Sequence, residues 1–220
     1  MKKVFLLLFV LLSLGLMGTE LDSCKAPVPQ TGQTTCWGSR GEIPPIDEIP
    51  CTDAGAQGQD GEVRAGVAPP DPRFTANVDM NSDGDCTDAE ESCDGTVTDN
   101  LTGLIWLKDA NCFGSRLWAD ALADANTLNS GECGLMDGSA EGDWHLPNRN
   151  QLTSLLDLGN FNPALPTGHP FLNIVTGRYW SSTTYPSSPD AAWCVDFTTG
   201  GLIITSKVPN RFVLPVRGGL

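Results

Sequence analysis

The chain has 220 residues, 40% of them hydrophobic, so it can bury a real core and wholesale disorder is excluded. A formal charge of -14, from 27 acidic and 13 basic residues, argues against nucleic acid as a partner, because phosphate binding needs clustered Lys and Arg. Eight Cys without a tandem C-x-x-C point to disulfides rather than zinc, and 24 Gly with 16 Pro imply many turns.

The first residues read as an export signal. Lys2 and Lys3 form a charged start, and Val4 to Met17 form an almost unbroken apolar run too short to span a bilayer comfortably. Removal of residues 1–23 as a signal peptide is expected, which makes the mature chain secreted or held at the cell envelope or surface. Leu21-Asp22-Ser23-Cys24 loosely resembles a lipoprotein box, so Cys24 is a candidate for lipidation. Residues 24–94 then form an acidic extension. Between 41 and 100 lie 15 acidic and 2 basic residues, with Pro44-Pro45, Pro69-Pro70 and Asp71-Pro72, so loops are predicted here.

Within the extension, residues 79–90 match an EF-hand-like calcium loop. Oxygen ligands stand at loop positions 1, 3, 5 and 12, and Gly84 stands at position 6, where the chain must turn sharply. Asp79, Asn81 and Asp83 would coordinate through side chains and Asp85 through its carbonyl. Thr87 would contribute directly or through water, and Glu90 through both carboxylate oxygens. No amphipathic helix follows Glu90, so the loop reads as an isolated structural calcium site of the extracellular kind, with a dissociation constant of ~10⁻⁴–10⁻³ M.

From Gly95 the texture changes. The run Thr96 to Trp106 predicts a hairpin, two short strands around an Asp99-Asn100 turn. Leu117, Ala121, Leu122, Ala125 and Leu128 recur at helical spacing and predict a helix from about Leu117 to Leu128. A second helix opens at Asn148, its N-cap, with Gln151 closing a capping box and Leu152, Leu155 and Leu156 on the buried face. Tyr179 to Thr184, Ala192 to Phe197, Leu202 to Ser206 and Phe212 to Val216 read as strands. Gly200-Gly201 and Pro209-Asn210 make the turns between the last three. Two helices followed by an antiparallel meander predict an α+β domain over 95–220.

The cysteines sort by position. Cys112 and Cys133 flank the first helix, Cys36 and Cys51 bracket the Pro-rich segment, and Cys86 and Cys93 are close in sequence; each is a candidate pair. Cys24 and Cys194 are left. With Cys24 lipidated, Cys194 is a lone buried thiol; otherwise the two can pair.

The run Asp94 to Trp106 resembles the opening of the Lcl C-terminal domain family, bacterial domains named after a collagen-like adhesin. The resemblance continues through Trp118-Ala119-Asp120-Ala121, Gly142-Asp143-Trp144-His145-Leu146-Pro147-Asn148 and Tyr179-Trp180-Ser181-Ser182-Thr183. It closes through Ala192-Trp193-Cys194-Val195-Asp196-Phe197 and Val213-Leu214-Pro215-Val216-Arg217. Departures are His145, where members usually carry Arg, and Gln151, where they carry Glu. The resemblance implies a C-type-lectin-like α+β fold and a surface or secreted binding role. The named adhesin is associated with sulfated glycans, but a charge of -14 disfavours a polyanionic ligand here.

Trp106, Trp144, Trp180 and Trp193 are expected in the core. Asp143 is expected as a local turn residue rather than an acid/base partner of His145, and His169 as a loop residue. There is no G-x-S-x-G, P-loop or H-E-x-x-H, and neither lectin calcium-sugar motif, Glu-Pro-Asn or Trp-Asn-Asp. The expected function is therefore a non-catalytic binding or adhesion module for an extracellular glycan or a matrix or surface protein. An envelope structural protein, or an enzyme related to the formylglycine-generating oxidases, stands as the alternative.

Overall fold

A computed structural model describes residues 30–37, 48–52, 59–78 and 93–218. The expected signal peptide, Cys24, the expected calcium loop at 79–90 and the expected pairing of Cys86 with Cys93 lie outside the described residues. In chain order the elements are β1 (Cys36–Trp37), β2 (Glu48–Ile49), α1 (Asp60–Val63), β3 (Phe74–Val78), β4 (Cys93–Asp99), β5 (Ile105–Leu107), β6 (Ser115–Arg116), α2 (Trp118–Thr127), α3 (Arg149–Ser154), β7 (Arg178–Thr184), β8 (Ala191–Asp196), β9 (Gly201–Ser206), β10 (Arg211–Phe212) and β11 (Val216–Arg217).

The predicted hairpin is β4–β5, with Val97 opposite Trp106, inside a four-stranded sheet of order β11-β5-β4-β3. Strand β3 corrects the expectation of loops alone. Its backbone pairs antiparallel with β4 from Phe74 opposite Asp99 to Val78 opposite Cys93, so the extension completes this sheet. Phe74 is what makes it a strand of the core: its ring is buried and meets Phe171 edge-on at 5.3 Å. A single buried aromatic in a short segment gives little periodicity to read.

A five-stranded sheet has the order β6-β10-β7-β8-β9. Strands β7, β8 and β9 form the expected meander, and the β8–β9 turn closes as Gly200 N–H donates to the Asp196 carbonyl at 2.8 Å. The fourth expected strand is corrected. Phe212 to Val216 splits into β10, which lies parallel to β7, and β11, which leaves to pair antiparallel with β5. The reason is burial on both sides: Val213 packs with α2 and Leu214 with the opposite core, so the run crosses between two sheets. A continuous apolar run looks the same in either arrangement.

The middle of the five-stranded sheet is covered on both faces, while Leu202 and Ile204 of β9 stay exposed. Trp180, Ala192 and Cys194 face Ala121 and Ala125 of α2. Tyr179 and Val195 face the larger core, with Leu152 and Leu155 of α3 and Val97, Trp106 and Val216 of the four-stranded sheet. Both expected helices are present, together with the four-residue α1 in the extension. Disulfides join Cys36 to Cys51 and Cys112 to Cys133. Closing a loop of 21 residues around α2 stabilises by about 3 kcal/mol on the chain-entropy model.

One charged pair ties the extension to the domain. Arg73 Nε and Nη2 donate to the two Asp99 oxygens at 2.7 and 2.9 Å, and Nη2 also donates to the Ser154 carbonyl at 2.8 Å. The Asp99 side chain is 0% exposed. Arg73→Ala strands a buried carboxylate, and the expected loss is about 3–5 kcal/mol in equilibrium urea unfolding. Arg73→Lys, which keeps the charge without the fork, should recover only part. A midpoint unchanged in Arg73→Ala would show that the pair holds nothing in place.

Candidate functional site

An open groove of about 400 Å³ lies where α3 begins beside the β7–β8 pair, lined by Asn148, Arg149, Asn150, Thr183, Thr184, Pro186 and Trp193. Local chemistry fixes its walls. The Asn148 side chain accepts from Gln151 N–H and Gln151 Oε1 accepts from Asn148 N–H, each at 2.9 Å, so the predicted capping box sets the start of α3. Arg149 N–H donates to Thr183 Oγ1 at 2.9 Å, which satisfies a first-turn donor from the neighbouring strand.

A bulge in β7 puts Thr183 there. Trp180 pairs with Cys194 and Thr184 with Ala192, so four steps along β7 match two along β8. The extra backbone is held on every side. Ser181 Oγ donates to the Trp193 carbonyl at 2.8 Å, Ser182 N–H to the Pro147 carbonyl at 2.8 Å, and Trp118 Nε1 to the Ser181 carbonyl at 2.9 Å. The Leu146-Pro147-Asn148, Trp180-Ser181-Ser182-Thr183 and Ala192-Trp193 segments therefore meet at one place.

The groove holds one conspicuous charge. The Arg149 guanidinium carbon sits 5.0 Å from the Trp193 ring centroid, a cation–π contact, and the Tyr185 ring meets the same indole edge-on at 5.7 Å. Arg149 Nε and Nη2 each reach Asn150 Oδ1 at 3.4 Å. Thr184 Oγ1 accepts from Lys207 Nζ at 2.9 Å, and that ammonium also lies 3.7 Å from the Trp118 ring centroid.

Trp106, Trp144 and Trp180 are fully buried as expected, but Trp193 is partly exposed and lines the groove. The correction follows from strand alternation: Cys194 points to the α2 side, so Trp193 points to the α3 side, near the end of that cover. Asp143 is a turn residue whose Oδ2 accepts from Ala140 N–H at 2.8 Å, and His145 is exposed. His169 lies in a loop, and burial lowers its pKa from the ordinary value. Cys194 is a free, buried thiol, and burial pushes its pKa up to about 12. Among the described residues no group of three or more His, Cys, Asp and Glu could hold a metal ion.

Arg149, Thr183, Thr184 and Pro186 were not singled out by the sequence. A usable signal was present in the Ser181-Ser182-Thr183-Thr184 run. Four hydroxyls after a core Trp exceed what a buried strand needs, and imply a strand whose end turns to polar work.

Comparison with curated proteins finds no match. The profile of the Lcl C-terminal domain matches residues 95–217, from within β4 to the end of β11, and includes every residue of the groove. The chain belongs to the Lcl C-terminal domain family.

Proposed function

We propose that the protein is an exported, non-catalytic binding module of C-type-lectin-like type, and that the groove between α3 and the β7–β8 bulge takes its ligand. One observation carries this reading: Arg149 and Trp193 are stacked in an open groove whose walls are fixed by the capping box and the bulge. A binding site needs preset side chains on a rigid frame, and this groove has both. The ligand is an extracellular glycan or a matrix or surface protein.

The non-catalytic reading draws support from Cys194. Oxidase chemistry of the formylglycine-generating kind needs an accessible thiol of low pKa, whereas Cys194 is buried between β8 and α2. Export draws support from two disulfides in 95–217 and its extension, since such bridges persist in oxidising compartments.

Calcium belongs to the same proposal as a structural ion. Asp79, Asn81, Asp83, Asp85, Thr87 and Glu90 fall in the connection between β3 and β4, and Val78 and Cys93 at its two ends are backbone partners. The connection 79–92 carries six carboxylates and no basic residue, so a bound dication would relieve their mutual repulsion.

Three measurements test these points. On an array of glycans and matrix proteins the mature chain should bind saturably in moderate salt, and Trp193→Ala should lose most of that signal while still unfolding cooperatively above the assay temperature. Binding that survives Trp193→Ala unchanged moves the site elsewhere, and no saturable binding favours an envelope structural role. Calorimetry should show one calcium per chain, with Glu90→Gln weakening it. Calcium at ten times its dissociation constant should stabilise by about 1.4 kcal/mol, a gain removed by EDTA. A thiol reagent at pH 8 should modify Cys194 only after unfolding, with Cys194→Ala as the blank; rapid reaction in the native state would reopen the enzyme reading.

A further inference from the structure

The free valence of the groove points to a ligand class. Arg73, Arg116, Arg178 and Arg217 each face a carboxylate, Asp99, Asp124, Asp196 and Asp137, while Arg64 and Arg211, away from the groove, bond carbonyl or hydroxyl oxygens. Arg149 has no carboxylate within 4.0 Å among the described residues. Its guanidinium lies over the Trp193 ring and makes long contacts to Asn150 Oδ1, and the Nη1 amino group has no protein partner among those residues. A planar, preset fork with open donors matches a carboxylate, which it can meet with two parallel hydrogen bonds. Lys207 does not add a second free cation, because its ammonium is committed to Thr184 Oγ1, the Pro189 carbonyl and the Trp118 ring.

The rest of the lining argues for a sugar ring. Asn148, Asn150, Thr183 and Thr184 are amides and hydroxyls, and Pro186 with the indole of Trp193 supplies the apolar part. One face of that indole is already taken by Arg149, so the ring packs beside the guanidinium rather than replacing it. A peptide strand would need a free sheet edge, but β8 runs between β7 and β9, and on β7 at the groove the Ser182 N–H is already committed to the Pro147 carbonyl.

Resting on the reading that this groove is the ligand site, we propose that it takes a sugar residue bearing one carboxylate, a uronic or ulosonic acid, with the carboxylate on Arg149. One open cation selects one anion. A polysulfated chain would gain little more there and would run onto an acidic protein.

The test titrates the full mature chain with glucuronate, N-acetylneuraminate, the methyl ester of glucuronate, glucose, a heparin-type sulfated hexasaccharide and an acidic peptide, followed by indole and guanidinium NMR shifts. Glucuronate or N-acetylneuraminate should move the Trp193 indole and Arg149 Nε signals. The ester and glucose should bind at least about tenfold more weakly, in line with the loss of charge-assisted hydrogen bonds. Arg149→Ala and Arg149→Lys should both lose about tenfold or more for the acids, and Arg211→Ala, outside the lining, should not. Equal binding of ester and acid with loss in Trp193→Ala overturns the carboxylate proposal while the binding module stands. Preference for the sulfated hexasaccharide, collapsing in salt, or for the acidic peptide also overturns it. No shift with any sugar overturns it too, and the array then decides separately whether the chain binds anything.

Discussion

The buried pair of Arg73 and Asp99 is the constraint on which the arrangement of the rest depends. Its value is positional more than energetic, since desolvating two charges offsets much of their attraction. Asp99 also accepts from Leu101 N–H at 3.0 Å and Thr102 Oγ1 at 2.6 Å, so the same carboxylate closes the β4–β5 turn. Arg73 in turn grips the Ser154 carbonyl at the end of α3. Strand β3, the central hairpin and α3 are thereby set relative to one another by one fork. A consequence is that residues 95–217 do not satisfy themselves: the cation that neutralises Asp99 comes from before the matched family span.

Further contacts extend this frame to the groove. At its far side, Thr31 accepts an N–H bond from Leu158, and Gly32 and Gly159 approach so closely that a Cβ on either would collide with the opposing segment. This seats the extension against the chain just after α3. The front of α3 is held by the capping box and by Thr183, its rear by Arg73. Helix α3 has six residues and little propensity to stand alone, so these external bonds supply the rigidity that a preset Arg149 requires.

What was legible in the sequence follows the range of the interactions. The capping box at Asn148 and Gln151 is a contact across three residues, and the β4–β5 hairpin depends on a nearby turn; both could be read directly. The disulfide around α2 followed from the cysteines flanking a periodic helix. Strand β3 could not be read this way, because its partner lies beyond the acidic stretch 79–92 and its buried set is one Phe. The crossing at Val213-Leu214 failed for a related reason: consecutive residues buried in two different cores give the same pattern as one buried strand. The candidate site was hidden more deeply. Its motifs were visible, yet their meeting depends on a bulge, which is a mismatch of register between two strands.

Net charge is a poor guide to this groove, and the structure explains why. The extension from 41 to 100 contributes -13 of the total, and 101–220 only -3. Within the domain the carboxylates are largely spent on local tasks. Asp124, Asp137 and Asp196 face arginines, Asp143 and Asp157 accept turn N–H groups, and Asp109 accepts from Asn111 N–H and Asn173 Nδ2. With a screening length of about 8 Å at physiological salt, a small ligand at Arg149 responds to that guanidinium more than to distant acids. A long anionic chain differs, because it must pass from the groove over the surrounding surface. The proposed single-carboxylate site is therefore compatible with an acidic exterior, and the length of the ligand decides which field it meets.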